Sequence, residues 1–339
     1  MKMDTDLDAW RERMRRDWDA RAAVDAEHFI YAKSSCGDTL DFVASGKANY
    51  DQLIRPYVPF LLNGHRTRDC DVVEIGCGIG RITEWFAREF RHVYAVDVSP
   101  VMLAKARQRL GSYSNITFHA ISGSDLAPIP SHSIDLVFSY IVFQHIPSRE
   151  LIDNLLWESA RVLRSGGALK CQLNGDQSPE YATHTRDTWF GETYSIAEVQ
   201  AILKHSGLTA IAMEGAGTQY LTVTARKGPA PSILSWVLPG EPWSSEYLLE
   251  GFGSAVDNSW RPMSARARAR VPGTGTRLYV GLYFWPESCR HSVLIAGKQF
   301  FVDSPGDHYF ECTAAPGEID LQIDPLPRRP PAFRVIGIY

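Results

Sequence analysis

Between residues 70 and 226 short apolar runs alternate with stretches of helical spacing. Val72–Ile75, Val93–Asp97, Ile116–Ala120, Ile134–Ser139 and Ala168–Asn174 are almost continuously apolar, which predicts strands buried on both faces of a parallel sheet. Arg81–Glu89, Pro100–Leu110 and Glu150–Arg164 carry apolar residues three and four apart, the spacing of helices that pack on such a sheet. Ser99 followed by Pro100 reads as a capping hydroxyl with proline at the first helical position. Ser148 is expected to cap the helix Glu150–Arg164, and Gly166-Gly167 to end it. Ser195 with Glu198 makes a capping box for a helix up to His205, stopped by Gly207. Thr209–Glu214 and Gln219–Lys227 then fit a hairpin of final strands.

The flanks follow other patterns. In residues 4–28, Leu7, Trp10, Met14 and Trp18 form one apolar stripe on a polar helix. That stripe either packs on the next domain or closes over a ligand as a lid, with Trp18 and Tyr31 as contacts. Tyr50–Leu62 reads as a further helix that Pro56 and Pro59 must break or bend. Beyond Gly228 the helical period disappears. Pro229, Pro231, Pro239 and Pro242 flank the apolar stretch Ile233–Leu238, a linker expected to dock. Arg277–Trp285, Ser292–Ala296, Gln299–Asp303, Tyr309–Thr313, Glu318–Asp324 and Phe333–Tyr339 read as short strands between Gly, Pro and Asp turns, which suggests a β-sandwich. The division expected is a helical cap (1–66), an α/β domain (67–228), a linker (229–245) and an all-β sandwich (246–339). Arg266-Ala267-Arg268-Ala269-Arg270 alternates with period two, so its arginines share one face. They suit a solvated edge strand, or alternatively an anionic ligand. Trp243, Trp260 and Trp285 suit core positions, or stacking on sugar rings.

Composition adds bounds. The chain of 339 residues is 45% apolar and 22% charged, ordinary for a soluble globular protein. A net charge of −4 gives no global attraction for nucleic acid, and none is expected as a partner. The start, Met1–Asp8, carries three acids and no apolar core, so it is not read as a signal peptide. No apolar run is long enough for a membrane span; a cytoplasmic location is the expectation. Six scattered cysteines form no C-x-x-C pair, which argues against a zinc site or a disulfide framework. No metal is expected, and Cys77 reads as a small packing residue.

The chemistry concentrates at Val72-Val73-Glu74-Ile75-Gly76-Cys77-Gly78-Ile79-Gly80. A buried strand runs into a glycine turn and opens a helix whose first N–H groups are unpaired. Glycines there let the backbone approach a ligand. A dinucleotide loop spaces its third glycine one residue later. Asp97 closes the next strand, 21 residues beyond Gly76, a spacing that suits a ribose diol. The shortened loop and Glu74 favour S-adenosylmethionine, because a carboxylate suits its cationic amino-acid end and repels a pyrophosphate.

Four segments carry a family resemblance: Glu74–Arg81, then Val96-Asp97-Val98-Ser99-Pro100-Val101-Met102, then Ile134–Ser139, then Ala160–Gly167. In this order they resemble the motifs of class I S-adenosylmethionine-dependent methyltransferases. The resemblance implies a Rossmann-like seven-stranded α/β sheet with an N-terminal helical cap, and S-adenosylmethionine as cofactor. It implies cofactor contacts from Glu74, Gly76, Cys77, Gly78, Gly80, Arg81, Asp97, Val98, Met102, Gly123, Ser124 and Ser139. Where the family often carries an acid that accepts from the adenine amino group, this chain has Ser122, a cofactor contact whose hydroxyl still accepts but more weakly than a charge, with the backbone of Gly123 and Ser124 as the stronger adenine partners. The segment Tyr140–Pro147 leaves the fourth strand beside the glycine loop, so His145 is the candidate general base, with Gln144 and Tyr140 to orient the acceptor. His145 instead fixes the turn before Pro147, or walls the pocket, if it moves no proton. His184 is a second base candidate, within an acceptor wall of Tyr181, His184, Arg186 and Trp189. The leading expectation is O-methylation of a small-molecule or carbohydrate-containing acceptor. N-methylation, another alkyl transfer, and a non-catalytic cofactor-binding scaffold with the sandwich as ligand module are the alternatives.

Overall fold

A computed structural model of the protein describes residues 2–31, 41–228, 236–237, 247–254, 260–271, 276–286 and 290–338. Two compact units make up the chain, Met1–Ala210 with Gly217–Gly228 and Ile211–Ala216 with Pro229–Tyr339. The linker stretch around Ile233, Trp243, and the cysteines Cys36 and Cys289 lie outside the described residues.

The first unit opens with α1 (Lys2–Ile30), non-helical at Asp25, and α2 (Phe42–Leu53), which Asp41 caps through the Ala44 N–H. The expected helix Tyr50–Leu62 is not continuous: a 3-10 turn at Arg55–Tyr57 and the single turn α3 (Val58–Leu61) each carry a proline, Pro56 and Pro59, as their second residue. The sheet strands are β1 (Asp71–Ile75), β2 (His92–Asp97), β3 (Ile116–Ala120), β4 (Ile134–Ser139), β5 (Leu163–Leu173), β6 (Leu208–Glu214) and β7 (Leu221–Lys227). They lie in the order β3-β2-β1-β4-β5-β7-β6. β1 to β5 are parallel, and β7 runs antiparallel to β5. Between them come α4 (Thr83–Glu89), α5 (Pro100–Leu110), α6 (Arg149–Val162), α7 (Pro179–Ala182) and α8 (Ile196–His205).

Apolar runs make parallel strands here because both faces are covered: Val72, Val73, Val93, Ala95, Leu136 and Val137 are all fully buried. The strand order reverses between β1 and β4, so the carboxyl ends of β1, β2 and β4 meet at one crevice. Helix boundaries shift slightly. Ser99 and Ser195 cap as expected, the latter in a full capping box. Ser148 sits at the N-cap of α6 but makes no capping bond, and β5 begins at Leu163, so Gly166 and Gly167 lie inside the strand instead of ending the helix.

The second unit is all-β. Its strands are β8 (Trp236–Val237), β9 (Leu248–Phe252), β10 (Arg261–Val271), β11 (Arg277–Phe284), β12 (His291–Ile295), β13 (Lys298–Val302), β14 (Gly306–Thr313), β15 (Gly317–Asp324) and β16 (Ala332–Ile338). The path β13-β12-β15-β10-β16-β11-β14 is antiparallel, with β9 on β10 and β8 on β16. Its two layers are continuous through the long β10. The two ends of the path come together where Phe300 meets Phe310, rings 5.1 Å apart, so the sandwich is nearly a closed barrel.

The arginine stripe is corrected in one respect. β10 is an interior strand, flanked by β15, β16 and β9. Ala267, Ala269 and Val271 point into the core, while Arg268 faces Asp320 at 3.3 Å and Arg270 faces Glu318 at 3.4 Å on β15. Cross-strand ion pairs therefore account for these two charges, and the alternative of an anionic ligand loses its support.

Candidate active site

β1 ends by delivering Glu74 to the crevice, with 4% of its surface exposed. Its Oε2 accepts from the Thr83 hydroxyl at 2.5 Å. The chain then turns through Gly76 and Gly78, both at positive φ (72° and 55°). The neighbours that demand glycine belong to the protein itself. A Cβ on Gly76 would fall within the Val142 side chain, and one on Gly78 would lie 2.6 Å from Ile30 Cδ1. Gly80 is held from outside the crevice: Arg109 donates to its carbonyl and to that of Ile79, and pairs with Glu84 at 2.8 Å.

β2 delivers Asp97, 7% exposed. Its Oδ2 accepts from Gly78 N–H at 2.8 Å and its Oδ1 from Ser99 N–H at 2.9 Å. The Val98 backbone N–H also supports the carboxylate, and Asp97 lines the crevice. Arg81, 4% exposed, donates from Nη1 to Asn49 Oδ1 at 2.6 Å. Its Nε is buried without a partner, and among the described residues the Nε–Nη2 edge makes no hydrogen bond. That edge is the fork that grips a carboxylate in two parallel bonds.

These groups border one cavity of about 910 Å³, part of it open to solvent. Glu74, Gly76, Cys77, Gly78, Arg81, Asp97, Val98, Met102 and Gly123 line it, as do Tyr140 and His145. Gly80, Ser122, Ser124, Ser139 and Gln144 lie behind it. Ser139 donates to the Ile75 carbonyl at 3.1 Å. The Ser122 hydroxyl is tied to the Asp125 carboxylate and to Ser124. Cys77 is buried and its thiol pushed well up by burial, which keeps it protonated and inert.

α1 closes the cavity from above with Met14, Trp18, Phe29 and Ile30. Asp19 accepts from Ser99 Oγ at 2.6 Å, Arg11 donates to Ser124 Oγ at 2.9 Å, and Arg21 donates to the Thr188 carbonyl at 3.1 Å. Of the stripe, Met14 and Trp18 face the cavity, and these bonds fasten α1 on two sides. Tyr31 lies against Arg81, ring centre to guanidinium 5.6 Å.

After β4 the backbone turns sharply at Ile141, whose φ of 56° is rare for a β-branched residue. Gln172 of β5, fully buried, holds that turn: its Oε1 accepts from Ile141 N–H at 2.8 Å. Gln172 also donates to Gln144 Oε1 at 2.8 Å. His145, 7% exposed, has its Nδ1 2.8 Å from the Trp189 carbonyl and its Nε2 3.2 Å from Gln144 Nε2. It packs between Trp18 and Trp189, ring centres at 5.5 and 5.1 Å. His184 is elsewhere, stacked on Phe190 at 4.0 Å; it, Tyr181, Arg186 and Trp189 lie outside the cavity lining. Ile30, Phe29, Val142 and Gln172 had no signal in the sequence beyond being apolar or amide side chains.

Burial sets the electrostatics. It pushes Glu74 up to about 7, against the Thr83 hydrogen bond, and Asp97 up to about 6, against backbone N–H donors. It pushes His145 down to about 4, so the imidazole is neutral. It also lowers Arg81. Folded-state pKa values above the unfolded ones mean that the folded chain holds protons the unfolded chain has released. The stability these two carboxyls contribute is therefore expected to fall as pH rises from the ordinary carboxyl range to about 7. His145, held neutral in the fold, offsets part of that fall up to the ordinary histidine value. A cationic ligand favours the charged carboxylates, so it should bind more tightly over the same rise. Thermal midpoints taken with and without S-adenosylmethionine test this: the gap between them should widen with pH. A gap that stays constant or narrows would contradict it.

The donor set fits S-adenosylmethionine. Two buried carboxylates and one buried guanidinium, none in an ion pair among the described residues, complement a ligand with an ammonium, a carboxylate and a ribose diol. Residues 73–171 match the sequence family described as a methyltransferase domain. A demethylmenaquinone methyltransferase of Tropheryma whipplei is 35% identical over 99 residues, 29% of this chain and 39% of that protein. A trans-aconitate 2-methyltransferase of Methylobacterium nodulans is 33% identical over 125 residues, 36% of this chain and 45% of that protein. The chain thus spans less than half the length of these curated relatives. Among solved structures, the magnesium protoporphyrin IX methyltransferase of Synechocystis PCC 6803 with bound S-adenosylhomocysteine is 19% identical, with a TM-score of 0.48 over 63% of this chain and 98% of that one. No helix among the described residues is long and apolar enough to cross a membrane. Residues 73–171 of the chain carry a methyltransferase domain, and its cofactor is S-adenosylmethionine.

Proposed function

We propose that this protein transfers a methyl group to an oxygen of a small acceptor admitted beneath α1. The observation that carries the proposal is the charge pattern of the cavity, two carboxylates and one open guanidinium edge, none in an ion pair among the described residues. Asp97 would accept from the ribose hydroxyls. Glu74 would face the ammonium and Arg81 the carboxylate of the methionyl end. The backbone of Gly123, which lines the cavity, would meet the adenine. When bound, S-adenosylmethionine supplies an activated methyl group. The chain's task is then to hold the acceptor atom in line with it and to keep water out, and positioning of this kind can lower a barrier by several kcal/mol. Tyr140 and His145 form the polar part of the wall on the acceptor side. The matched relatives are named for acceptors of different kinds, so acceptor choice has to come from this chain's own cavity.

Incubation with S-adenosylmethionine and the small-molecule fraction of a cell extract tests the proposal. Formation of S-adenosylhomocysteine that depends on the extract is expected by mass spectrometry. Cofactor that binds and is recovered unchanged would make the domain a scaffold.

A further inference from the structure

A run of hydrogen bonds passes behind the turn after β4, and backbone groups fix its direction at both ends. Ile141 N–H can only donate, and it donates to Gln172 Oε1. Gln172 then presents its amide nitrogen to three acceptors, the Leu173 and Gln219 carbonyls and Gln144 Oε1, so the Gln144 oxygen is the end turned toward it. That leaves the Gln144 amide N–H group facing His145 Nε2. At the far end the Trp189 carbonyl can only accept, so His145 Nδ1 carries the proton. The imidazole is held as one neutral tautomer, and an amide donor already occupies its lone pair. A proton on Nε2 would set one N–H against another and break the run. The second polar group on this wall, the Tyr140 phenol, is pushed upward by burial and stays protonated. Around them stand Trp18, Phe29, Ile146 and Leu155.

We infer, resting on the methyl transfer proposed above, that the acceptor enters as a carboxylate and leaves as its methyl ester. A neutral hydroxyl, including that of a sugar, must lose a proton as its new bond forms, and His145 has no free lone pair to receive it. A carboxylate has no proton to lose. One of its oxygens gives an electron pair to the methyl carbon, and the carbon–sulfur bond breaks with its pair remaining on sulfur. One negative and one positive charge disappear together, leaving a neutral ester and a neutral thioether. That cancellation suits apolar walls, where separated charge is costly and a carboxylate stripped of water attacks more readily. An amine acceptor would instead become a cation inside them. His145 is then a positioning residue, which carries the lid contact of Trp18 and the carbonyl of Trp189, and Gln172 acts through Gln144 to keep it so.

The test uses the full chain, S-adenosylmethionine labelled in its methyl group, and a small-molecule cell extract divided in two. In one half the carboxylates are first converted to amides with a carbodiimide and methylamine. Label should pass to the untreated half, be released as volatile methanol by mild alkali, and be lost from the amidated half. Label that resists alkali, or that persists after amidation, overturns the carboxylate assignment while methyl transfer stands. No transfer to either half removes methyl transfer itself, and the assignment with it. Nitrogen NMR gives a readout that needs no acceptor. His145 should show a protonated Nδ1 and a neutral ring throughout the neutral pH range. In Gln144→Leu the ring should stay neutral, because burial holds it so, while the Nε2 resonance shifts as that nitrogen loses its amide donor. A His145 that titrates near that value in the unaltered protein would return it to the role of base and overturn the inference.

Discussion

Replacing Asp97 with alanine is expected to weaken S-adenosylmethionine binding by about a hundredfold or more, the largest binding effect at this site. Hydrogen bonds to a charged acceptor are worth about 1.5–3 kcal/mol each, and two hydroxyl donors from a ribose would be lost together. The carboxylate also accepts from Gly78 N–H and Ser99 N–H, so the variant loosens the glycine turn as well as removing a contact. Asp97→Asn separates the two effects. Its oxygen can keep the Ser99 bond, but its amide group confronts the Gly78 N–H and cannot accept from a second hydroxyl. Affinity should therefore fall nearly as far in Asp97→Asn, with a smaller loss of thermal stability. Calorimetry that finds unchanged affinity in either variant would remove Asp97 from the cofactor site.

Gly76→Ala is expected to have the largest effect on the fold itself. The backbone there has φ 72°, which costs a non-glycine residue on the order of 1–3 kcal/mol. The new methyl group also meets the Val142 side chain, and overpacking of this kind costs about 1–3 kcal/mol more. Together they should lower the thermal midpoint by roughly 10 °C for a domain of this size. Adding Val142→Ala should recover the steric part and leave the conformational part, because the clash needs both side chains. If the double variant is no more stable than Gly76→Ala alone, Val142 is not what holds position 76 to glycine.

Much of the first unit was legible because its signals are local. Continuous apolar runs and capped helical periods placed β1 to β5 and their helices. The glycine turn with Glu74 and Asp97 showed where two strand tips converge. The lid reading of α1 rested on one stripe, and its contacts join residues far apart in the chain: Arg11 with Ser124, Asp19 with Ser99, Arg21 with Thr188. Spacing along the chain carries no information about such pairs. The same holds for Gln172, which reads as a polar position in a buried strand until the fold brings it under Ile141. The glycines were expected to make room for a ligand, whereas Val142 and Ile30 occupy the space that a Cβ would need. The arginine stripe illustrates a different limit. Period-two alternation is identical for an edge strand and an interior one, and only pairing on both sides, with β15 and with β9 and β16, distinguishes them.

Calorimetric titration of the purified protein with S-adenosylmethionine and S-adenosylhomocysteine tests the central claim most directly. One binding event per chain is predicted for both, with no heat from a nicotinamide or flavin dinucleotide. Heat from a dinucleotide and none from either sulfur nucleoside would contradict the assignment of this cavity.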